Sequence, residues 1–281
     1  MRAGELWTKI ISLMNRIEQK FAELRAKNQP GLILYLTAGD PNLDTTEKLI
    51  LALEQAGADI IELGVPFSDP MADGPTIQSA SERALKNYFT LDDIFATAER
   101  IRSQSQIPLL LFSYYNPIFK FGEERAVSLA QEAGIDGMLV VDLPPEESEN
   151  LGKLCADYGL SLVHLATPTS TPERLKLIAQ ASSGFIYYVS VTGVTGAREQ
   201  LPEDLIEHLR LVKKFTDLPI AVGFGISRSE QAKELGRIAD AVVVGSALVK
   251  LIEKYSSTDK LFEEVKNFAR SLKSELEKSR S

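Results

Sequence analysis

Residues 219–255 read PIAVGFGISRSEQAKELGRIADAVVVGSALVKLIEKY and contain the same local pattern twice. Two short apolar runs, Pro219–Gly225 and Ala241–Ala247, are each followed by an amphipathic segment, the second of which is Ser246–Tyr255. A run that is apolar at nearly every position is typical of a strand covered on both faces, as in a parallel sheet. The sequence here therefore predicts two successive strand–helix units.

Six earlier apolar runs repeat this pattern, again with amphipathic segments between them. They are Leu32–Ala38, Asp59–Gly64, Pro108–Tyr114, Gly137–Asp142, Ser161–Ala166 and Phe185–Ser190. Strand–helix alternation is compatible with an open doubly wound sheet or with a closed barrel. Eight repeats favour closure, so we predict an α/β fold of the (β/α)8 TIM barrel type over residues 30–255. The chain of 281 residues is then expected to be a single domain, 1–281.

Local signals predict where two of the helices begin. Asp44 with Glu47, and Thr90 with Asp93, have the spacing of a capping box, in which two side chains bond the free N–H groups of a helix start. We expect both helices to begin directly after the first residue of each pair.

Two flanking segments, residues 5–25 and 259–276, place apolar residues on one helical stripe. The stripe residues are Leu6, Ile10, Leu13, Ile17, Phe21 and Leu24 in the first segment, and Leu261, Val265, Phe268 and Leu272 in the second. We predict that these extra N-terminal and C-terminal helices cover the barrel ends or pack on its outer helices. The alternative is a dedicated role in binding a partner.

Composition excludes several classes of function. The chain has 31 Lys and Arg against 39 Asp and Glu, a net charge of -8, so neither nucleic acid nor an anionic membrane surface is an expected partner. The one cysteine, Cys155, forms no internal disulfide and suits a reducing compartment. We see no signal peptide and no membrane-spanning apolar run, and we expect a cytoplasmic protein.

Glycine-bearing turns follow the last three predicted strands, at residues 192–196, 223–225 and 245–246. Glycine lets the backbone approach a ligand closely, and the free N–H groups at the helix start near Ser246 favour an anion. Phosphate sites recur at this place in TIM barrels. We therefore predict that backbone groups, rather than Lys or Arg, bind the phosphate of a small substrate; the alternative is three ordinary tight turns.

Glu62 is the unusual residue of the second predicted strand. Its neighbours along the strand are apolar, and it lies near the carboxyl end, where catalytic groups of barrels concentrate. Burial should raise the pKa of its carboxyl group and prepare it to exchange protons near neutral pH. The alternative is a structural glutamate in an ion pair.

The loop after this strand, residues 65–75, reads VPFSDPMADGP and contains three prolines and two aspartates. A loop this constrained is suited to placing a side chain at a ligand. Either Asp69 or Asp73 is a candidate, and the residues alone do not choose between them, because aspartate is also a common turn former.

Exclusions narrow the chemistry further. The eight predicted strands contain no lysine, which argues against a Schiff-base mechanism. The chain has two histidines and no histidine cluster on a strand, which argues against a metal site. Carboxylate acid–base chemistry on a phosphorylated substrate remains.

Residues 62–75, ELGVPFSDPMADGP, closely resemble the signature of the tryptophan synthase alpha subunit family. Further matches occur in order along the chain, from about residue 30 to 252. They are TAGDP (37–41), YYNP (114–117), DLP (142–144), GVTG (193–196), GFGI (223–226) and GSA (245–247). Family members are expected to stop near Lys254, so the resemblance implies no role for the segment after Tyr255.

The resemblance implies a lyase that cleaves indole-3-glycerol phosphate to indole and glyceraldehyde 3-phosphate. It implies Glu62 as general acid–base, Asp73 rather than Asp69 as the partner of the indole N–H, and Tyr187 near the glutamate. The resemblance also implies which residues bind the indole ring and the phosphate. Tyr35 and Phe224 would wall the indole pocket, Thr195 would contact Asp73 from a mobile loop, and Gly196, Gly225, Gly245 and Ser246 would bind phosphate.

The resemblance also implies a beta subunit in an α2β2 assembly. This chain would hold no cofactor, and pyridoxal phosphate would belong to the beta partner. Docking is expected near Pro66–Asp73 and Asn116–Ile118. Two alternatives stay open: a stand-alone indole-3-glycerol-phosphate lyase, and a non-catalytic subunit that only activates its partner.

Overall fold

The computed structural model describes residues 14–190, 203–223, 225–226 and 228–280. Eight strands coincide with the eight predicted apolar runs. They are β1 (Gly31–Thr37), β2 (Ile60–Gly64), β3 (Leu109–Ser113), β4 (Gly137–Val140), β5 (Ser161–Ala166), β6 (Ile186–Val189), β7 (Ile220–Gly223) and β8 (Ala241–Val244).

The strands form one closed parallel barrel. Each strand hydrogen-bonds to the next in chain order, and β8 returns to β1, where Gly31 pairs with Ala241. Every crossover between parallel neighbours contains at least one helix, wherever the structure describes it. The predicted (β/α)8 TIM barrel is confirmed, and the open doubly wound sheet is excluded.

Twelve helices lie in the described part of the chain. They are α1 (Arg16–Ala26), α2 (Leu43–Gln55), α3 (Pro75–Leu85), α4 (Leu91–Arg102), α5 (Tyr115–Phe121), α6 (Glu123–Glu132), α7 (Glu149–Asp157), α8 (Pro172–Ala181), α9 (Glu203–Val212), α10 (Ser229–Gly236), α11 (Ser246–Tyr255) and α12 (Leu261–Glu277). Among these helices, none combines the length and the apolar character that crossing a bilayer requires.

Helix α1 covers the amino-terminal end of the barrel. Its apolar residues Ile17, Phe21 and Leu24 are buried and join the cluster of side chains that fills the barrel interior. The rings of Phe21 and Phe185 lie 5.4 Å apart. The predicted N-terminal stripe is thus confirmed from Ile17 onward, while its first three residues lie outside the described part of the chain.

Helix α12 packs on the outside of the barrel against α2, α10 and α11. It buries Leu261, Val265 and Leu272, as the stripe predicts. The Lys273 ammonium group also donates to a carboxylate oxygen of Asp59 at 2.6 Å, directly before β2. The C-terminal helix therefore closes the outer layer of helices where the first and last strands of the barrel meet.

One of the two predicted helix starts is confirmed and one is wrong. Thr90 and Asp93 form a capping box at the start of α4. Helix α2, by contrast, begins at Leu43, and the side chain of Asn42 accepts a hydrogen bond from the Thr45 N–H at 2.8 Å. Because Asn42 already caps this helix, Asp44 lies within its first turn.

The packing of α12 gives a stability prediction. Replacing Leu272 by Ala should lower the free energy of unfolding by about 2–5 kcal/mol, because the side chain is fully buried and leaves a cavity. Leu177→Ala is the matched control, since Leu177 is 41% exposed on α8. Urea denaturation of both variants measures the difference. Equal, small losses would show that α12 contributes little to the core.

Candidate active site

A cavity of about 650 Å³ opens at the carboxyl-terminal end of the barrel. Seven of the ten predicted site residues lie on its wall. They are Tyr35, Glu62, Asp73, Tyr187, Gly225, Gly245 and Ser246. The other three, Thr195, Gly196 and Phe224, lie outside the described residues. The fold thus brings every described candidate to one cavity.

Glu62 lies in the middle of β2 and points into the barrel. Strand alternation sends Ile61 and Leu63 outward to the helices, whereas Ile60 fills the interior layer below. Glu62 is 0% exposed, and neither carboxylate oxygen has a hydrogen-bond partner among the described residues. Burial raises the pKa of Glu62 to about 8. Because Glu62 has no partner among the described residues, the alternative that it is a structural glutamate in an ion pair with one of them is excluded.

Asp73 lies in the loop between β2 and α3, half-buried on the cavity wall. Burial raises the pKa of its carboxyl group to about 6, while a hydrogen bond with the Tyr114 hydroxyl acts in the opposite direction. That hydroxyl also accepts the Ala72 N–H at 3.0 Å, which holds the loop. Asp69 is exposed, bonds to Ser68 and is not on the wall. The structure therefore favours Asp73 over Asp69.

Tyr35 on β1 stands beside Glu62, its register partner on β2. Its hydroxyl lies 3.3 Å from the Thr37 hydroxyl, and its ring meets Phe112 edge-on with centroids 5.3 Å apart. A Cβ atom at Gly64 would lie 2.2 Å from the Tyr35 hydroxyl oxygen, so only glycine leaves room for the ring. Burial raises the pKa of Tyr35 above its ordinary value, which keeps the hydroxyl neutral.

Tyr187 lines the same cavity from β6, the strand across the barrel from β2. Its ring packs against β7, where a Cβ atom at Gly223 would lie 2.9 Å from the Tyr187 hydroxyl oxygen. Burial raises its pKa well above the ordinary value, and the negative charges of Glu62 and Tyr35, when ionised, add to this effect. Tyr187 is therefore a neutral hydroxyl near the buried glutamate.

The predicted phosphate residues line the same cavity beyond the ends of β7 and β8, and β8 is the neighbour of β1. Gly225, two residues past the end of β7, has a φ of +60°, and among the described residues other than its chain neighbours no atom lies within 4 Å of the position a Cβ would take. Gly245 precedes α11, and Ser246 is the exposed first residue of that helix. The free N–H groups of a helix start favour an anion at this end of the cavity.

Several wall residues escaped prediction. Phe112 on β3 and Ile77 on α3 supply apolar surface, and Phe268 reaches the wall from α12. Lys250 and Lys254 of α11 line the cavity as well, and the prediction that backbone groups rather than Lys or Arg bind the phosphate stays a prediction. Helical spacing could have predicted the two lysines, because residues four and eight positions after Ser246 lie on the same helix face as Ser246.

No metal site is visible in the described ranges. Among those residues, no three His, Cys, Asp or Glu side chains are grouped in a way that could hold a metal ion. On the described part of the cavity wall, the carboxyl groups are those of Glu62 and Asp73, and the two tyrosine hydroxyls are those of Tyr35 and Tyr187.

Comparison with known proteins decides the family. The family model of the tryptophan synthase alpha chain matches residues 21–278. The chain belongs to the tryptophan synthase alpha chain family. Because the match extends past Tyr255, the expectation that the family pattern stops near Lys254 is wrong, and α12 is part of the family fold.

Curated relatives agree over nearly the whole chain. The tryptophan synthase alpha chain of Citrifermentans bemidjiense is 53% identical over 260 residues, which are 92% of this chain and 97% of the relative. That of a Thermoanaerobacter species is 48% identical and covers 92% of this chain and 99% of the relative.

Solved structures give the same result for the fold. The tryptophan synthase subunit alpha of Legionella pneumophila superposes with a TM-score of 0.88 at 36% identity, covering 94% of this chain and 99% of that one. A Pyrococcus furiosus chain from a study of mutual activation in the tryptophan synthase α2β2 complex superposes with a TM-score of 0.81 at 42% identity, covering 87% and 98%.

Family membership fixes the activity. The chain is a carbon–carbon lyase of tryptophan biosynthesis, the tryptophan synthase subunit that cleaves indole-3-glycerol phosphate to indole and glyceraldehyde 3-phosphate. Its family implies a small-molecule substrate and a beta-subunit partner.

The buried carboxyl group of Glu62 should make stability depend on pH. Its folded pKa of about 8 lies above the ordinary value of 4.5, so the folded chain holds a proton that the unfolded chain releases as pH rises. Stability from this group is full below pH 4.5 and is lost as pH rises towards 8. Glu62→Gln removes the loss, so the variant should gain stability relative to wild type as pH rises through this window, reaching on the order of 5 kcal/mol above pH 8.

Denaturation of both proteins at pH 5, 7 and 9 measures this gain. Glu99→Gln is the control, because Glu99 is exposed on α4. A Glu62→Gln variant whose stability followed the wild-type pH curve would show that the glutamate does not hold a proton in the folded chain.

Proposed function

We propose that Glu62 is the general acid–base of the lyase reaction. The observation that carries this proposal is its fully buried carboxyl group, unpaired among the described residues and open only to the substrate cavity. Cleavage requires a proton delivered to indole C3 and a proton removed from the glycerol hydroxyl next to the breaking bond. One carboxyl group that starts protonated can do both in turn.

Glu62 alone can supply the proton for these steps and recover one at the end. Protonated Glu62 gives its proton to indole C3, which leaves a positively charged indole and a Glu62 carboxylate. The carboxylate then removes the hydroxyl proton, the carbon–carbon bond breaks, and its electron pair returns to the indole ring as the aldehyde forms. Glu62 ends protonated, ready for the next substrate. Its pKa of about 8 supports this starting state at neutral pH.

We assign Asp73 the role of counter-charge. Its pKa of about 6 lies below that of Glu62, so at neutral pH Asp73 is mainly ionised while Glu62 is mainly protonated. Two carboxyl groups held apart in this way can divide the roles of proton donor and charge stabiliser. A carboxylate fixed beside the ring would accept the indole N–H and stabilise the positive charge that develops there.

The remaining wall residues would hold the two ends of the substrate. We assign Gly225, Gly245 and Ser246 to the phosphate and Tyr35 to the indole pocket, with Tyr187 as a neutral hydroxyl near Glu62. The family resemblance adds Gly196 for phosphate, Phe224 for the indole pocket and Thr195 as a partner of Asp73. Phosphate at one end would fix the indole between the two carboxylates at the other.

We further propose that the beta subunit docks on the loops after β2 and β3, in an α2β2 assembly. Met71 in the loop after β2 is 82% exposed, and Phe119, which lies next to Asn116–Ile118 on the helix α5 that follows β3, is 64% exposed. Exposed apolar patches of this kind are typical of protein interfaces. The similar Pyrococcus furiosus chain comes from such an α2β2 complex. Pyridoxal phosphate would belong to the beta partner, with no cofactor in this chain.

We also propose a cytoplasmic location. The thiol of Cys155 is free and buried, as suits a reducing compartment, and the family serves amino-acid biosynthesis.

Three variants of the isolated chain test the catalytic assignment. Glu62→Gln should lower kcat for indole release by about 10²–10⁴-fold, because it removes the group that transfers the proton. Asp73→Asn should lower kcat by about 10²-fold through loss of the counter-charge. Asp69→Asn in the same loop is the matched control and should resemble wild type. Wild-type turnover in Glu62→Gln would overturn the assignment, and a wild-type chain that released no indole would favour an activating subunit.

A second set of variants tests docking. Phe119→Asp should weaken binding of the beta subunit by about tenfold or more, because a charge replaces an apolar contact, while indole release by the isolated chain stays unchanged. Leu177→Asp, on the distant helix α8, is the control. Calorimetric titration with the beta subunit gives both affinities. No binding even by wild type would favour the stand-alone lyase, and unchanged binding by Phe119→Asp would place the interface elsewhere.

A further inference from the structure

Two lysines line the substrate cavity from one helix. Lys250 and Lys254 belong to α11, the helix that begins at Ser246, and both side chains are exposed. Residues at spacings of four lie on one helix face, so Ser246, Lys250 and Lys254 form a continuous row along the cavity. The row starts at the proposed phosphate position and follows α11 for two turns.

Neither lysine is neutralised within the described part of the chain. No carboxylate there lies within ion-pairing distance of either ammonium group, although twelve such bridges occur elsewhere in those ranges. The Lys254 ammonium lies 4.9 Å from the ring centroid of Tyr255, a contact that leaves its charge available. In a chain with net charge -8, two unpaired positive charges at one cavity are an exception to the general repulsion of anions.

The direction of the side chains also suits an anion at the helix start. Side chains of a helix lean towards its N-terminus, so the Lys250 side chain leans towards Ser246. The two α-carbons are about 6 Å apart along the helix axis, within the reach of a lysine side chain. Lys254 lies one further turn away.

Charge is divided across the cavity. The ionisable carboxyl groups of the wall, Glu62 and Asp73, lie on and after β2, whereas both lysines follow β8. Strand β1, with Tyr35, separates the two sides. A ligand with a negative end and an end that becomes positive during reaction therefore has one favourable orientation.

We propose that Lys250 binds and Lys254 attracts the phosphate dianion of the substrate, so that the lysine row sets the affinity and orientation of indole-3-glycerol phosphate. This assignment rests on the phosphate position proposed above and adds side-chain charge to its backbone groups. The lysines act on binding and not on proton transfer, so their removal affects KM and leaves kcat nearly constant.

The test compares Lys250→Gln, Lys254→Gln and the double variant with Lys153→Gln. Lys153 is an exposed lysine on α7 and makes the same charge change away from the cavity. Steady-state cleavage of indole-3-glycerol phosphate gives KM and kcat, and calorimetry with glycerol 3-phosphate gives the affinity for a phosphate ester without an indole ring. Both are measured at low and at high salt.

Lys250→Gln should raise KM and the Kd for glycerol 3-phosphate about fivefold, and Lys254→Gln about twofold, with kcat unchanged, as expected for single exposed charge interactions. The differences from Lys153→Gln should shrink at high salt, where exposed charges are screened. Equal KM values for all variants, or a fall in kcat with KM constant, would overturn the proposal. A wild-type chain that fails to cleave the substrate would instead contradict the function on which it rests.

Discussion

The carboxyl group of Glu62 is buried in the barrel without a hydrogen-bond partner among the described residues. Burial of a charged carboxylate in such a place is strongly unfavourable, so the group holds a proton at pH values where glutamate is normally ionised. The layers below Glu62 are filled by apolar side chains and closed by α1, so they provide no polar partner for the carboxylate. The proton that we propose for catalysis is thus a consequence of where β2 places Glu62.

The other features of the site are arranged around the position of Glu62. Gly64 leaves room for the Tyr35 ring beside Glu62, and Gly223 does the same for Tyr187. Asp73, held by a loop bonded to Tyr114, is less buried and titrates at a lower pH. The phosphate end lies on the far side of Tyr35, where helix α11 offers its free N–H groups. In the proposed function, acid–base chemistry and substrate anchoring are therefore separated within one cavity.

Much of this arrangement was predictable because the strands of a barrel have a strict pattern. Apolar runs covered on both faces located all eight strands, and alternation along β2 pointed Glu62 inward. The loop after β2 has no such period, so the residues alone left Asp69 and Asp73 open until the resemblance favoured Asp73. The start of α2 was misplaced because Asn42 caps it before Asp44. Lys250 was missed as a wall residue because helix patterns were interpreted only for their buried faces, and Phe268 was missed because its apolar stripe was assigned to packing alone.

The central claim is that the substrate lies with its phosphate at the helix start and its indole between two carboxylates. A crystal structure with a bound phosphorylated indole analogue tests it most directly. The account predicts phosphate oxygens at hydrogen-bond distance from the backbone of Gly225, Gly245 and Ser246, with the ring nitrogen facing Asp73 and C3 facing Glu62. A phosphate bound elsewhere, or an indole ring out of reach of Glu62, would contradict it.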